Sequence, residues 1–400
     1  MSHRVDPNLL SELKAYGDIN VEACFNCGTC TAICPLSTED GSFPRRMIRY
    51  IQVGMRDQLL GSKELWMCYY CGDCSETCPR QAEPGEFMAA TRRYAIANYD
   101  RLGLAKMLYT SPVLGTIFLV LLAALIGLFM YTQHGPMTAG SLALFEFIPA
   151  ELIHNLGVAA MAFVGLTGLL GVVNMVSRTA QANGLTKENA FGGNGLRLNW
   201  GGALWNALAV EAVGQKRYRE DCEAVEERPP WYLQKWFIHA SVMWGFLGLL
   251  AATASDYSLA LLGVKETGTW VPIWYPVRLL GTVAGLFLVY GTSVAIVKRL
   301  LKTDRAFSYS SVADWAFLIL MWLSGVSGFV LEFALYLPQP PLWGYWVFLF
   351  HVAVAGEMLL LIPFTKFAHA IYRIVALFIY SLKPMPKPEV ASSEGIVTGS

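Results

Sequence analysis

Charge is scarce in this chain: Asp, Glu, Lys and Arg make up 15% of its 400 residues, against about a quarter in soluble domains. That scarcity excludes an ordinary soluble protein. With 54% hydrophobic residues and a mean hydropathy of +0.42, it points to an integral membrane protein. The few charges cancel to zero, which leaves no basic excess for nucleic acid. Met1 to Tyr16 is polar, without the apolar core of a signal peptide. No G-x-G-x-x-G frame follows a strand-like run, and Gly192-Gly193-Asn194-Gly195 reads as a turn, so neither flavin nor nicotinamide has a cradle. With no pairing of nucleophile and base either, the chain cannot finish a reaction alone.

Cysteine is also sparse, but eight of the nine fall into two identical frames. One is Cys24-x-x-Cys27-x-x-Cys30-x-x-x-Cys34-Pro35 and the other Cys68-x-x-Cys71-x-x-Cys74-x-x-x-Cys78-Pro79. Three cysteines at this spacing wrap one cubane cluster, and the fourth, before Pro, is lent to the other cluster. The expectation is one [4Fe-4S] cluster on Cys24, Cys27, Cys30 and Cys78 and a second on Cys68, Cys71, Cys74 and Cys34. Structural zinc would need only paired C-x-x-C units. A disulfide framework belongs to small exported domains, and nothing marks this segment for export. Cys222 stands alone in a charged stretch.

The fold expected is all-α: an α-helical ferredoxin domain followed by a six-helix transmembrane bundle. Residues 1–110 carry 12 Lys+Arg against 13 Asp+Glu, which suits a soluble cytoplasmic domain. Pro44 to Val53 has helical spacing at Met47, Ile48 and Ile51, and a second helix is expected from Pro84 through Tyr94. Residues 111–382 hold six apolar stretches, at about 113–131, 150–176, 233–256, 276–297, 312–336 and 343–366, each near the length that crosses a bilayer. The segment from Trp200 to Val213 reads as an interfacial helix. Residues 383–400 read as a disordered tail. The loops 177–234 and 298–311 contain 7 and 4 Lys+Arg, whereas 132–149 and 337–342 contain none and 257–275 only Lys265. By the positive-inside rule both termini are cytoplasmic, in the inner membrane.

Histidine is rarer still, with six in all, and four lie in or at the ends of apolar stretches: His154, His239, His351 and His369. Ionisable groups in a membrane point to function. His351 and His369 are 18 residues apart, five turns or about 27 Å on a straight helix. By depth, His154 pairs with His351 near the outer side and His239 with His369 near the cytoplasm. Axial ligation of one b haem by each pair is the simplest chemistry. Asp256, Tyr275, Arg278 and Glu332 collect at the outer helix ends as quinone or haem-propionate contacts, with Asp314 and Lys366 as the inner rivals. Gly157, Gly165, Gly168, Gly171, Gly281 and Gly285 read either as room for a porphyrin or as helix contacts.

The doubled cysteine module joined to a histidine-bearing six-helix part resembles the membrane subunit of the quinone-interacting membrane-bound oxidoreductase (Qmo) complex. That family joins a ferredoxin like the C subunit of heterodisulfide reductase to a cytochrome b like its E subunit, itself similar to the gamma subunit of respiratory nitrate reductase. The resemblance implies menaquinone as lipid substrate, flavin and iron-sulfur partner subunits, and electron exchange with adenylylsulfate reductase in sulfur metabolism. His351 and His369 match the nitrate-reductase-like pattern. His154 and His239 depart from it, since that family carries the other pair on one helix. The alternatives are a quinol-oxidising subunit of a heterodisulfide or thiol reductase, and a haem-free iron-sulfur anchor or sensor.

Overall fold

The computed structural model describes residues 4–37, 41–182, 199–221, 229–266, 268–303 and 309–382. The Gly192 to Gly195 turn, Cys222, His3 and the tail from Lys383 lie outside the described residues. Among those described there are helices and turns but no strand. The N-terminal part is built of short helices and two longer ones. In α1 (Arg45–Gln52), Met47, Ile48 and Ile51 share the buried face. Helix α2 (Pro84–Tyr99) opens on Pro84, whose missing N–H costs nothing in a first turn. Both pack on Leu9, Leu13, Val21, Leu59 and Trp66, each such apolar side chain contributing roughly 1.5–3 kcal/mol on burial.

Six helices are long and apolar enough to span a membrane: α3 (Pro112–Thr132), α4 (Ala150–Ala182), α5 (Lys235–Leu261), α6 (Pro276–Leu301), α7 (Val312–Tyr336) and α8 (Trp343–Leu360). They match the expected stretches, but α4 and α6 run on past the apolar windows. Their added turns carry Arg178, Lys298 and Arg299, long side chains that reach out of an apolar layer. Helix α7 starts on a capping box between Ser311 and Asp314.

The last span needs a correction. Instead of one helix through His369, α8 ends at Leu360, residues 361–367 turn, and α9 (Ala368–Ser381) sets off separately. Pro363 is the cause: it cannot donate to the carbonyl of Leu359, and its ring clashes there. His351 and His369 therefore stand on different helices. Helix α9 turns back under the N-terminal part, where Tyr372 packs on Trp66 and Tyr99 at ring distances of 5.1 Å each.

Helix α5 packs on α6, α6 on α7, α7 on α8, and α8 on both α3 and α4. Helices α5 and α6 touch backbone to backbone: a Cβ at Gly245 would lie 2.5 Å from Leu288 N, and one at Gly291 2.9 Å from Ile238 O. Gly281 and Gly285 meet Ala252 and Phe329, and Gly168 and Gly171 meet Ile371 and Tyr372, so these four are helix contacts. Gly157 and Gly165 face open space.

A buried ionic group fastens the N-terminal part to the helix ends. Arg93 donates to Asp314 at 3.2 Å and Glu86 at 3.0 Å, Lys366 reaches Asp314 at 3.5 Å, and Tyr70 donates to Glu86. Asn174 near the end of α4 donates to Asn98 O at 3.2 Å. The end of α4 and the starts of α7 and α9 thus lie on the side that carries the cysteines.

Candidate functional site

The two cysteine frames repeat in backbone as well as in sequence. Asn26 and Tyr70, before the second cysteine of each frame, both have φ of 62°. Gly28 and Gly72, after it, have φ of 92° and 102°, where a side chain would be strained. A four-residue helix follows each glycine, Thr29–Ala32 and Asp73–Glu76, and the two helices pack together. In each loop a backbone N–H turns onto the first sulfur: Asn26 N to Cys24 Sγ and Tyr70 N to Cys68 Sγ, both at 3.4 Å. Ala82 N does the same to Cys78 Sγ at 3.4 Å. Such inward N–H groups favour negative charge.

The sulfurs fall into two groups that cross the frames. A small cavity is lined by Cys34, Cys68, Cys71 and Cys74, and not by Cys78. Burial pushes the Cys34 thiol up to about 12, with Cys68 and Cys71 adding to the rise, and Cys74 higher still. Around Cys30, raised mainly by burial, the neighbouring sulfurs are Cys24, Cys27 and Cys78. Thiolates at such depth need bound cations to hold them, so the donor chemistry fits an iron-sulfur cluster in each group. The groups differ in access, because Cys27 and Phe25 are exposed whereas Cys34, Cys68, Cys71 and Cys74 are all half-buried.

Of the four membrane histidines, the structure brings two together. The rings of His239 at the start of α5 and His369 at the start of α9 are 6.0 Å apart at 65°. Two imidazoles across one iron have ring centres roughly 6–6.5 Å apart. His369 Nδ1 is hydrogen-bonded to Lys366 O, which leaves Nε2 for a ligand, and His239 Nδ1 is buried without a partner. Both observations fit a haem. The outer two are not in ring contact among the described residues. His351 is bonded through Nδ1 to Ser327 Oγ at 2.9 Å and lies against Gly328, while the His154 ring lies tilted against Tyr257 at 4.3 Å.

The inner histidine pair adjoins the second cysteine frame. Lys235, one turn before His239, donates to Cys71 O at 3.3 Å. Arg373, one turn after His369, donates to Cys68 O at 3.3 Å. Tyr69, between the first two cysteines of that frame, stacks on Tyr218 at 5.0 Å, and Tyr218 meets the His239 ring edge-on at 5.6 Å.

At the far end the expected polar residues form two ion pairs. Glu332 accepts from Arg278 at 3.2 Å and Thr282 at 3.3 Å, and Asp256 pairs with Lys265 at 2.6 Å, whose ammonium lies over Tyr275 at 5.9 Å. Sequence reasoning missed Glu357, a buried acid on α8 whose Oε1 has no partner. The signal was present, since it is the one acid in that apolar helix. The segment expected at the interface, Trp200 to Val213, is docked on one side. Trp205 and Leu208 are exposed there, but Glu211 is buried and takes a hydrogen bond from Tyr69 at 3.2 Å.

A family model described as a 4Fe-4S dicluster domain matches residues 20–82. Over 63 residues, 16% of the chain, it is 36% identical to the C subunit of the H(2):CoB-CoM heterodisulfide, ferredoxin reductase of Methanothermobacter thermautotrophicus, covering 34% of that protein. It is 34% identical over 71 residues to the iron-sulfur C subunit of the CoB–CoM heterodisulfide reductase of Methanopyrus kandleri, covering 16% of the chain and 37% of that protein. The chain spans about a third of the length of the curated relatives it matches. No solved structure matches it.

Proposed function

We propose that this chain, an iron-sulfur domain similar to the C subunits of heterodisulfide reductases ahead of six apolar helices, is the membrane electron-transfer subunit of a quinone-dependent oxidoreductase of the Qmo type. It passes electrons between menaquinone and cytoplasmic flavin and iron-sulfur partners, by way of two b haems and two [4Fe-4S] clusters, in exchange with adenylylsulfate reductase. The observation that carries this reading is the adjacency of His239 and His369 to the Cys68 to Cys74 loop. The residues one turn from these histidines, Lys235 and Arg373, reach the backbone of the Cys68 to Cys74 loop, so an electron held between the histidines has the second cysteine group as its neighbour. The crossed packing of the frames leads from there to the group with exposed Cys27, where a soluble partner can reach it.

A reduced-minus-oxidised spectrum of the purified full chain tests the proposal. Overlapping b-type bands with a broad iron-sulfur bleach are expected. A bleach without any b-type band would leave only an iron-sulfur anchor. A second reading, a subunit of a heterodisulfide or thiol reductase, is favoured by the names of the matched relatives. The chain has no adjacent cysteine pair of the kind that the catalytic part of such a reductase carries, so under that reading it would feed electrons to another protein of the complex.

The quinone belongs at the end that carries Arg278 and Glu332, remote from the cysteines. A site on the near side, at Asp314 and Lys366, would not need His154 and His351. Quinol oxidised at the far end leaves its protons there while its electrons move toward the ferredoxin part, which does work of about 2.3 kcal/mol per charge for each 100 mV. In sealed vesicles with its partners, the complex is expected to build a potential, outside positive, when given a quinol. Glu332→Gln should slow haem reduction at least tenfold and more than Asp314→Asn does. No potential, with the reverse order of sensitivity, would move the quinone to the near side.

A further inference from the structure

Three cations converge on the backbone of the second cysteine frame. Arg92 on α2 donates from Nη1 to Cys68 O at 3.2 Å and from Nε to Met88 O at 3.4 Å, and its Nη2 is buried without a partner. Arg373 on α9 donates from its two terminal nitrogens to Cys68 O at 3.3 Å and Met67 O at 3.5 Å, with its guanidinium over the Tyr69 ring at 3.9 Å. Lys235 on α5 reaches Cys71 O at 3.3 Å. Among the described residues neither arginine has a carboxylate within ion-pair distance, whereas Arg93, next to Arg92 in sequence, has two.

Carbonyl dipoles alone do not repay the partial burial of two guanidinium groups, one of which has its Nη2 sealed from solvent. The missing negative charge has a source within reach. Four thiolates around a cubane core leave a net charge of about −2, which becomes about −3 when one electron is added. We infer that Arg92 and Arg373, assisted by Lys235, are the counter-ions of the cluster held by Cys34, Cys68, Cys71 and Cys74, and that they make it the easier of the two clusters to reduce. The step is the gain of one electron, with no bond made or broken and no proton needed. Around the first frame, Arg49 and Arg80 are exposed, as is Cys27, and water screens such charges; Arg45, half-buried, lies against Gly28 there, one cation against the three that converge on the second frame.

This inference rests on the two-cluster reading, and a redox titration of the full-length protein separates the two. Dithionite serves as reductant, and magnetic resonance follows each cluster, the second being the one whose signal Cys71→Ser alters. In the unsubstituted protein that cluster is expected to reduce first. Arg92→Gln and Arg373→Gln should each shift its reduced-to-oxidised ratio about tenfold toward oxidised, which is 59 mV for a one-electron couple. The other cluster should move less than about threefold, and Arg373→Lys should keep most of the wild-type value.

A reversed order in the unsubstituted protein would overturn the inference, and that measurement holds even if the Gln variants fail to load iron. So would equal shifts of both clusters, or a Lys variant as shifted as the Gln variant. A shift confined to a b-type band would assign the cations to the histidine site instead. Absence of any cluster signal in the unsubstituted protein would sink the two-cluster reading itself.

Discussion

Cys78→Ser is expected to abolish at least nine-tenths of the signal from the cluster bound by Cys24, Cys27 and Cys30, while the cluster beside Cys78 in sequence survives. The frames lie side by side through the helices Thr29–Ala32 and Asp73–Glu76, and this sets the fourth cysteine of each near the first three of the other. Cys34 lines the cavity of Cys68, Cys71 and Cys74, and Cys78 is among the sulfurs around Cys30. The first group has an exposed member in Cys27, so a weakened cluster there is open to solvent on that side. Cys34→Ser should do the reverse, with a smaller loss, because none of the four cysteines in its group is exposed. Iron content and resolved magnetic spectra of both variants check this. Loss of only the sequence-adjacent cluster in each case would refute the crossing.

The second large effect concerns the inner histidines. His239→Ala and His369→Ala should each remove the same b-type component, about half of the haem absorbance, and leave the other. Each ring has one place to go: His369 is fixed by the Lys366 carbonyl, and His239 faces it at 6.0 Å. An iron that loses one of two axial imidazoles is held only by the rest of its pocket. His351→Ala and His154→Ala should remove the other component. If His154 and His239 variants lose the same component, the pairing by depth is wrong. His134, bonded to Gly135 O at 2.9 Å and set among Tyr131 and Phe147, is then the next ligand to test.

Much of this arrangement was legible in the residues. Eight cysteines in register and six apolar stretches are strong periodic signals, and both are set by chemistry local to the chain. What was not legible came from partners far away in sequence. Arg92 and Arg373 look like ordinary charges beside a membrane, and only their shared approach to Cys68 gives them a role. Asp314 and Lys366 read as inner quinone candidates, but folding pairs them with each other, and Asp314 with Arg93 as well. Pro363 marks a place where a helix is interrupted. That the chain turns through seven residues there depends on Tyr372 finding Trp66 and Tyr99, which no local pattern discloses.

That return of α9 beneath the cysteine loops has a consequence for biogenesis. Cys68 and Arg373 are 305 positions apart. At roughly 5–20 residues per second on the ribosome, the loop emerges some 15–60 s before the cation that neighbours it. All six spans are made in the interval. The second frame is therefore made, and left open on that side, well before the segment that closes over it, so the order of synthesis puts the six apolar helices first and closure over the cysteine loop last.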